Sequence, residues 1–141
     1  MPVLVLVDDD SLYDSRVIVE YLDNRTPLAH LIPQDLGSKV KVRRWEALAD
    51  GVCDATVAVV VEKRKSAGSQ SDAFIVKQMD KVLHGLQAVH NDLGKNKCCV
   101  NDTFSLADIA VGCMLGYVSL RMSDIVNLAA EYPNLERLHI A

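Results

Sequence analysis

The start of the chain constrains the fold most strongly. Pro2 is followed by an apolar run at residues 3–7 and then by three aspartates and Ser11. This pattern predicts a β-hairpin with a polar turn. Because an isolated two-stranded hairpin is marginally stable in water, we expect it to belong to a larger sheet. The remaining strands and the covering helix are expected to lie outside this chain, which would leave the strand at residues 3–7 with unpaired backbone groups at its edge.

The rest of the chain is predicted to be helical. Residues 15–22 form a short amphipathic helix in which Ser15 is placed to cap the first turn. Residues 27–35, which contain two prolines, form a linker, and residues 36–141 form an all-α bundle. We therefore predict a hairpin-and-helix unit at residues 1–26 joined to that bundle. The last helical segment is expected to be cut short by the end of the chain.

Three longer helices account for most of the predicted bundle. The first runs from about residue 36 to near residue 65, with apolar residues at steps of three and four. Ser71 starts the second, whose apolar residues form one packed seam. Ser105 starts the third, which is apolar nearly all round and is therefore expected to be central and buried. Asp108, three residues on, completes a capping box with Ser105, so we assign both to folding.

Composition excludes several classes of protein. A formal net charge of -4 argues against a nucleic-acid partner, which requires a basic face. The apolar stretch at residues 109–120 is far shorter than the roughly 20 residues that cross a bilayer, so we expect no membrane association and a cytoplasmic location. The four cysteines are expected to be reduced and mostly buried, and the scattered histidines and cysteines predict no metal site.

The sharpest candidate site is Asp14-Ser15, at the junction of strand and helix. A helix N-terminus attracts anions, and Ser15 would add a hydroxyl donor. Asp14 would hold a neighbouring ammonium group, so a ligand with carboxylate and ammonium on one carbon would satisfy both residues. The alternative is an ordinary serine cap beside a solvated aspartate. No cysteine is placed by sequence beside this pair.

The chain resembles the glutathione S-transferase family, in particular a bacterial branch of it. The resemblance covers essentially the whole chain. It rests on motifs that are weak singly and specific together: PVL at residues 2–4, LYDSRVIVEYL at residues 12–22, RRWEALADG at residues 43–51, FSLADIA at residues 104–110 and YPNL at residues 132–135.

The resemblance implies roles for individual residues. Pro2 matches the cis-proline of a thioredoxin-like domain, and Met1 occupies the position whose backbone pairs with glutathione. Asp14 and Ser15 match the acidic residue and serine that hold the γ-glutamyl end. Residues 105–108 match the helix-capping box of the family. The bundle is similar to the C-terminal helical domain that supplies the electrophile pocket and much of the homodimer interface.

The chain also departs from the family pattern. The family's first strand, first helix and second strand have no counterpart here, and neither has the residue that activates the glutathione thiol; no residue is therefore given a catalytic role. Two hypotheses remain open. The chain is a transferase that conjugates glutathione, as substrate, to small hydrophobic electrophiles; or it is a non-catalytic truncated relative that acts as a binding or dimerisation module.

Overall fold

The computed structural model describes residues 2–26 and 30–140 and is mainly helical. A small antiparallel hairpin precedes the helices, as predicted, and the fold class is confirmed. The elements are β1 (Leu4–Val5), β2 (Ser11–Leu12), α1 (Ser15–Arg25), α2 (Leu36–Lys63), a single 3-10 turn (Ala67–Ser69), α3 (Asp72–Leu93), α4 (Leu106–Met122), α5 (Leu128–Glu131) and α6 (Pro133–Ile140).

The hairpin is present, but its first strand is shorter than the apolar run. In β1 and β2, Leu4 lies opposite Leu12. The turn already begins at Leu6, whose N–H donates to the Asp10 carbonyl and whose carbonyl accepts from the Asp9 N–H. Asp9 has a φ of 65°, which a short polar side chain tolerates well. Residues 6 and 7, which the sequence pattern assigned to the first strand, therefore belong to the turn.

The core is formed where α2 packs against α3 and α4. α2 begins at its N-cap Asp35, whose carboxylate accepts the Ser38 N–H, and α3 begins after Ser71, as predicted. The predicted seam of α3 is confirmed, because its central residues are fully buried and its first two are partly buried against the core. The seam consists of Ile75, Met79, Val82, Leu86, Val89 and Leu93.

The prediction that α4 is buried on all sides was wrong for one face. Val111, Met114, Leu115 and Val118 are fully buried against α2 and α6. The opposite face carries the α4 stripe, a set of exposed side chains one and then two helical turns apart: Ile109, Cys113 and Leu120. Overall apolarity therefore did not indicate burial on this face, where Leu120 is 70% exposed.

All four cysteines are free, but the expectation of burial holds only in part. Cys99 is buried, Cys53 and Cys98 are half-buried, and Cys113 is exposed. Burial, and then the neighbouring Asp108 carboxylate, raise the pKa of the Cys99 thiol. Cys113 is exposed because it belongs to the uncovered stripe of α4.

α1 is held to the rest of the chain by one buried carboxylate and several ion pairs. Asp23 is buried, and its oxygens accept the Leu31 N–H at 2.7 Å and the Ile32 N–H at 3.3 Å. Nearer its start, Arg16 pairs with Asp50 of α2. The Glu20 carboxylate pairs with two cations of α2, Lys39 and Arg43. The division into residues 1–26, a linker at 27–35 and residues 36–141 stays a prediction.

Two absences concern the described part of the chain. Within residues 2–26 and 30–140, no helix combines the length and the apolar character that crossing a bilayer requires. The same residues contain no cluster of three or more histidine, cysteine, aspartate or glutamate side chains suited to hold a metal ion.

Candidate functional site

Asp14 is the N-cap of α1. Its Oδ1 accepts the Arg16 N–H at 3.1 Å, and its carbonyl accepts the Ile18 N–H. The prediction that Ser15 caps this helix was therefore wrong by one residue. Asp14 has extended backbone, from which a short carboxylate reaches the second amide of the helix, whereas Ser15 is already helical.

This arrangement leaves Ser15 available to a ligand. Ser15 is exposed at the first position of α1, and within the described residues its hydroxyl makes no hydrogen bond. The first amides of a helix lack intrahelical partners and lie at the positive end of the helix dipole. The hydroxyl and the positive end of the helix dipole therefore lie together at the start of α1.

A surface cavity of about 360 Å³ lies against this helix start. Its wall consists of the first residues of α1 and one face of α2, and we call it the acidic cavity; its lining residues are Asp14, Ser15, Arg16, Asp50, Cys53 and Asp54. Arg16 crosses from one helix to the other, with its Nη2 2.8 Å and its Nε 3.1 Å from Asp50 Oδ2. Sequence reasoning missed the α2 residues. Their spacing places them on one face, but only the packing shows that this face meets α1.

Charge in the acidic cavity favours a cationic group. The lining holds three carboxylates and one guanidinium, and that guanidinium is engaged by Asp50. The hydrogen bond that Arg16 donates to Asp50, and then the negative charge of Asp50, raise the pKa of Arg16. Asp14 and Asp54 have no such ion pair within the described residues, so they give the cavity an excess of negative charge that attracts an ammonium group.

Cys53 lies in the same cavity as Asp14 and Ser15, so the expectation that no cysteine stands beside them was wrong. Burial, followed by the charges of Asp50 and Asp54, raises the pKa of the Cys53 thiol to about 11. At neutral pH the group is a thiol, not the more nucleophilic thiolate. Cys113 of α4 also contributes to this rise, more weakly than the two aspartates, so the Cys53 and Cys113 thiols lie near each other.

The other predicted site residues lie elsewhere. Met1 lies outside the described residues, and therefore so does the Met1–Pro2 peptide bond that was expected to be cis. Pro2 itself is exposed. Ser105 and Asp108 are buried and do not line the acidic cavity. Asp108 Oδ2 accepts the Ser105 N–H at 2.9 Å and the Ser105 hydroxyl at 3.1 Å. Asp108 Oδ1 accepts the Cys99 N–H at 2.8 Å. The capping contact is present, and its importance for folding stays a prediction.

Comparison with known proteins assigns the family. Residues 48–140 match the family model described as "Glutathione S-transferase, C-terminal domain". An uncharacterised GST-like protein of Escherichia coli (strain K12), YibF, is 33% identical over 121 residues, which are 86% of this chain and 59% of YibF. A probable glutathione S-transferase of Nicotiana tabacum is 26% identical over 97% of this chain and 59% of its own length. The chain thus spans about three fifths of the length of these curated relatives.

Solved structures give closer matches. The crystal structure of a glutathione S-transferase from Methylobacillus flagellatus KT with glutathione bound has a TM-score of 0.96 at 61% identity, covering 99% of this chain and 69% of that one. A glutathione S-transferase from Methylobacterium radiotolerans, in complex with glutathione sulfonate, has a TM-score of 0.92 at 35% identity, covering 99% and 66%. With its motifs, its helical bundle and these matches, the chain belongs to the glutathione S-transferase family.

Proposed function

We propose that this chain binds glutathione by its γ-glutamyl end at Asp14 and Ser15, and that it serves the conjugation of glutathione to small hydrophobic electrophiles. The observation that carries the proposal is the acidic cavity, in which an unengaged serine hydroxyl at a helix start lies beside surplus carboxylates. The glutathione-bound structure of the Methylobacillus flagellatus relative supports the choice of ligand.

The γ-glutamyl end of glutathione fits this chemistry because it carries an ammonium and a carboxylate on one carbon. In the proposed complex the Ser15 hydroxyl and the first amides of α1 donate to the carboxylate. Asp14 Oδ2 accepts from the ammonium group, since Oδ1 already accepts the Arg16 N–H. Both contacts are charge-assisted and therefore stronger than neutral hydrogen bonds. The Met1 backbone is proposed to pair with the peptide, as the family resemblance implies.

For the electrophile we propose the α4 stripe as an apolar wall beside the acidic cavity. Conjugation requires the glutathione thiol to lose its proton, so that the sulfur attacks the electrophile. Cys53 does not promote this step, because the thiol is protonated at neutral pH and the nearby carboxylates disfavour a thiolate. No catalytic residue is therefore assigned among the described residues.

The same observation favours a second candidate function, a non-catalytic module for binding or dimerisation. For either function we propose a homodimer, supported by the exposed valines Val40, Val57 and Val61 on α2. We also propose a cytoplasmic location, which suits four free cysteines. Sedimentation velocity tests the dimer, and a single species with the mass of one chain at micromolar concentration contradicts it.

Calorimetry with glutathione tests the site, using Ser15→Ala and Asp14→Asn. Asparagine caps a helix about as well as aspartate, so Asp14→Asn removes the charge and keeps the helix start. Loss of a hydrogen bond to a charged group costs about 1.5–3 kcal/mol, which predicts a Kd roughly 10- to 100-fold higher for each variant. Asp8→Asn, in the hairpin turn and outside the acidic cavity, is the matched control and should leave the Kd unchanged.

Two results separate the candidate functions. Steady turnover of glutathione with a chromogenic aryl halide supports conjugation, whereas binding without turnover supports the module. If glutathione binds with the same Kd to the wild type, Ser15→Ala and Asp14→Asn, the proposed site is wrong.

A further inference from the structure

A second surface cavity lies where the first half of α2 meets the end of α3 and the loop before α4. Its volume is about 410 Å³, and we call it the Trp45 cavity; among its lining residues are Lys41, Arg44, Trp45, Asp92, Asn96 and Asn101. It shares no lining residue with the acidic cavity, so the two are separate places on α2.

The indole of Trp45 brings an unpaired donor to this cavity. Trp45 is 4% exposed, yet its Nε1–H makes no hydrogen bond within residues 2–26 and 30–140. Among the residues in those ranges that are not exposed, His90 Nδ1 is the one side-chain polar atom that is sealed from solvent without a partner. Trp45 Nε1 therefore reaches solvent, and because Trp45 lines the cavity, its N–H is available to an acceptor bound there.

The charges around the cavity favour a ligand with one negative charge. Arg44 Nη2 lies 2.7 Å from Asp92 Oδ2, whereas Lys41 has no ion pair within the described residues. The two cations and one carboxylate leave one positive charge in excess. Because the Asp92 carboxylate repels a second negative charge, a carboxylate group suits the cavity better than a doubly charged phosphate.

We propose that the Trp45 cavity binds a small monocarboxylate that also carries a hydroxyl group. The Trp45 Nε1–H and the Lys41 ammonium group donate to the carboxylate, and the contact with Lys41 is charge-assisted. The Asn96 carbonyl is engaged by Arg137, but the Asn96 side-chain amide makes no hydrogen bond within the described residues. That amide donates to or accepts from the hydroxyl of the ligand.

The test is a titration of the full chain with lactate, followed through the indole N–H resonance in ¹H–¹⁵N spectra. The chain contains one tryptophan, so a single indole resonance reports on this cavity. We expect a saturable downfield shift with lactate. Lactamide, which lacks the charge, should bind at least about tenfold more weakly, and propanoate, which lacks the hydroxyl, about 2- to 10-fold more weakly.

A variant without the Lys41 charge tests the proposed cation. Lys41→Met keeps most of the length of the side chain, and it should raise the Kd for lactate at least about tenfold. Lys97→Met is the matched control, because Lys97 lies on the neighbouring loop and outside the cavity. It should leave the Kd unchanged.

Three outcomes overturn the proposal. The first is an indole resonance that shows no saturable shift with millimolar lactate. The second is a Kd for lactate that Lys41→Met leaves unchanged. The third is tighter binding of inorganic phosphate than of lactate, which identifies a phosphate site. Ser15→Ala and Asp14→Asn lie outside the cavity and should not alter lactate binding, so failure here is distinguishable from failure of the proposed function.

Discussion

At Gly85 of α3, one added methyl group should lower the free energy of unfolding. A Cβ built there lies 2.3 Å from Val52 Cγ2 of α2 and 3.7 Å from Val52 Cβ. Val52 is buried in the core, and a valine in a helix has one strongly preferred rotamer. Rotation of the valine therefore cannot relieve the contact, and α2 and α3 must move apart at the centre of the bundle.

The expected loss of stability follows from two opposing effects. Carbon atoms pack at about 3.5–4.0 Å, so the contact must open by more than about 1 Å. Overpacking a core costs about 1–3 kcal/mol, and such a short contact belongs near the upper end. The higher helix propensity of alanine relative to glycine offsets about 1 kcal/mol of this cost. Gly85→Ala should therefore lower the free energy of unfolding by about 2 kcal/mol, a fall in Tm of about 4–8 °C.

Urea unfolding followed by circular dichroism, with thermal melts, measures this effect. Gly51→Ala and Gly112→Ala are matched controls, because a Cβ at either position meets no atom within 4 Å. Both should raise the free energy of unfolding by up to about 1 kcal/mol. In a double-mutant cycle, Val52→Ala should destabilise the Gly85→Ala background less than the wild type. If Gly85→Ala is as stable as Gly51→Ala, the reasoning about this helix contact is refuted.

Two further predictions concern the Asp108 carboxylate and the reactivity of the thiols. Asp108→Asn replaces one accepting oxygen by an amide nitrogen, so the Ser105 or the Cys99 N–H loses its acceptor. An unsatisfied buried group costs about 1–3 kcal/mol, and urea unfolding should show a loss of that size. Asp102→Asn, on the exposed loop, is the control and should change the free energy of unfolding little. Equal stability of the two variants would contradict a folding role for Asp108. Among the thiols, alkylation followed by mass spectrometry at pH 8 should modify Cys113 first and Cys53 more slowly, with the Cys53 rate rising towards pH 11 because its pKa is raised to about 11. Equal rates at pH 8 would show that the acidic cavity does not suppress the Cys53 thiolate.

Local sequence signals predicted the elements better than their surroundings. Ser71 and the seam of α3 are visible in the chain because caps and periodicity depend on residues a few positions apart. The N-cap of α1 was predicted one residue late because adjacent Asp14 and Ser15 are both good caps, and only the backbone conformation separates them. Periodicity also shows which residues share a helix face, but not what that face meets. For that reason the exposure of the α4 stripe and the place of Cys53 beside Asp14 emerged only from the packing.

The first turn of α1 supplies Asp14 and Ser15 to the acidic cavity, so the position of α1 decides the geometry of the proposed site. The Arg16–Asp50 pair that joins this turn to α2 is about half exposed. Exposed pairs of this kind contribute little, about 0–1 kcal/mol, and weaken with added salt. The position of α1 therefore depends more on the buried Asp23 carboxylate, which accepts the Leu31 and Ile32 N–H groups.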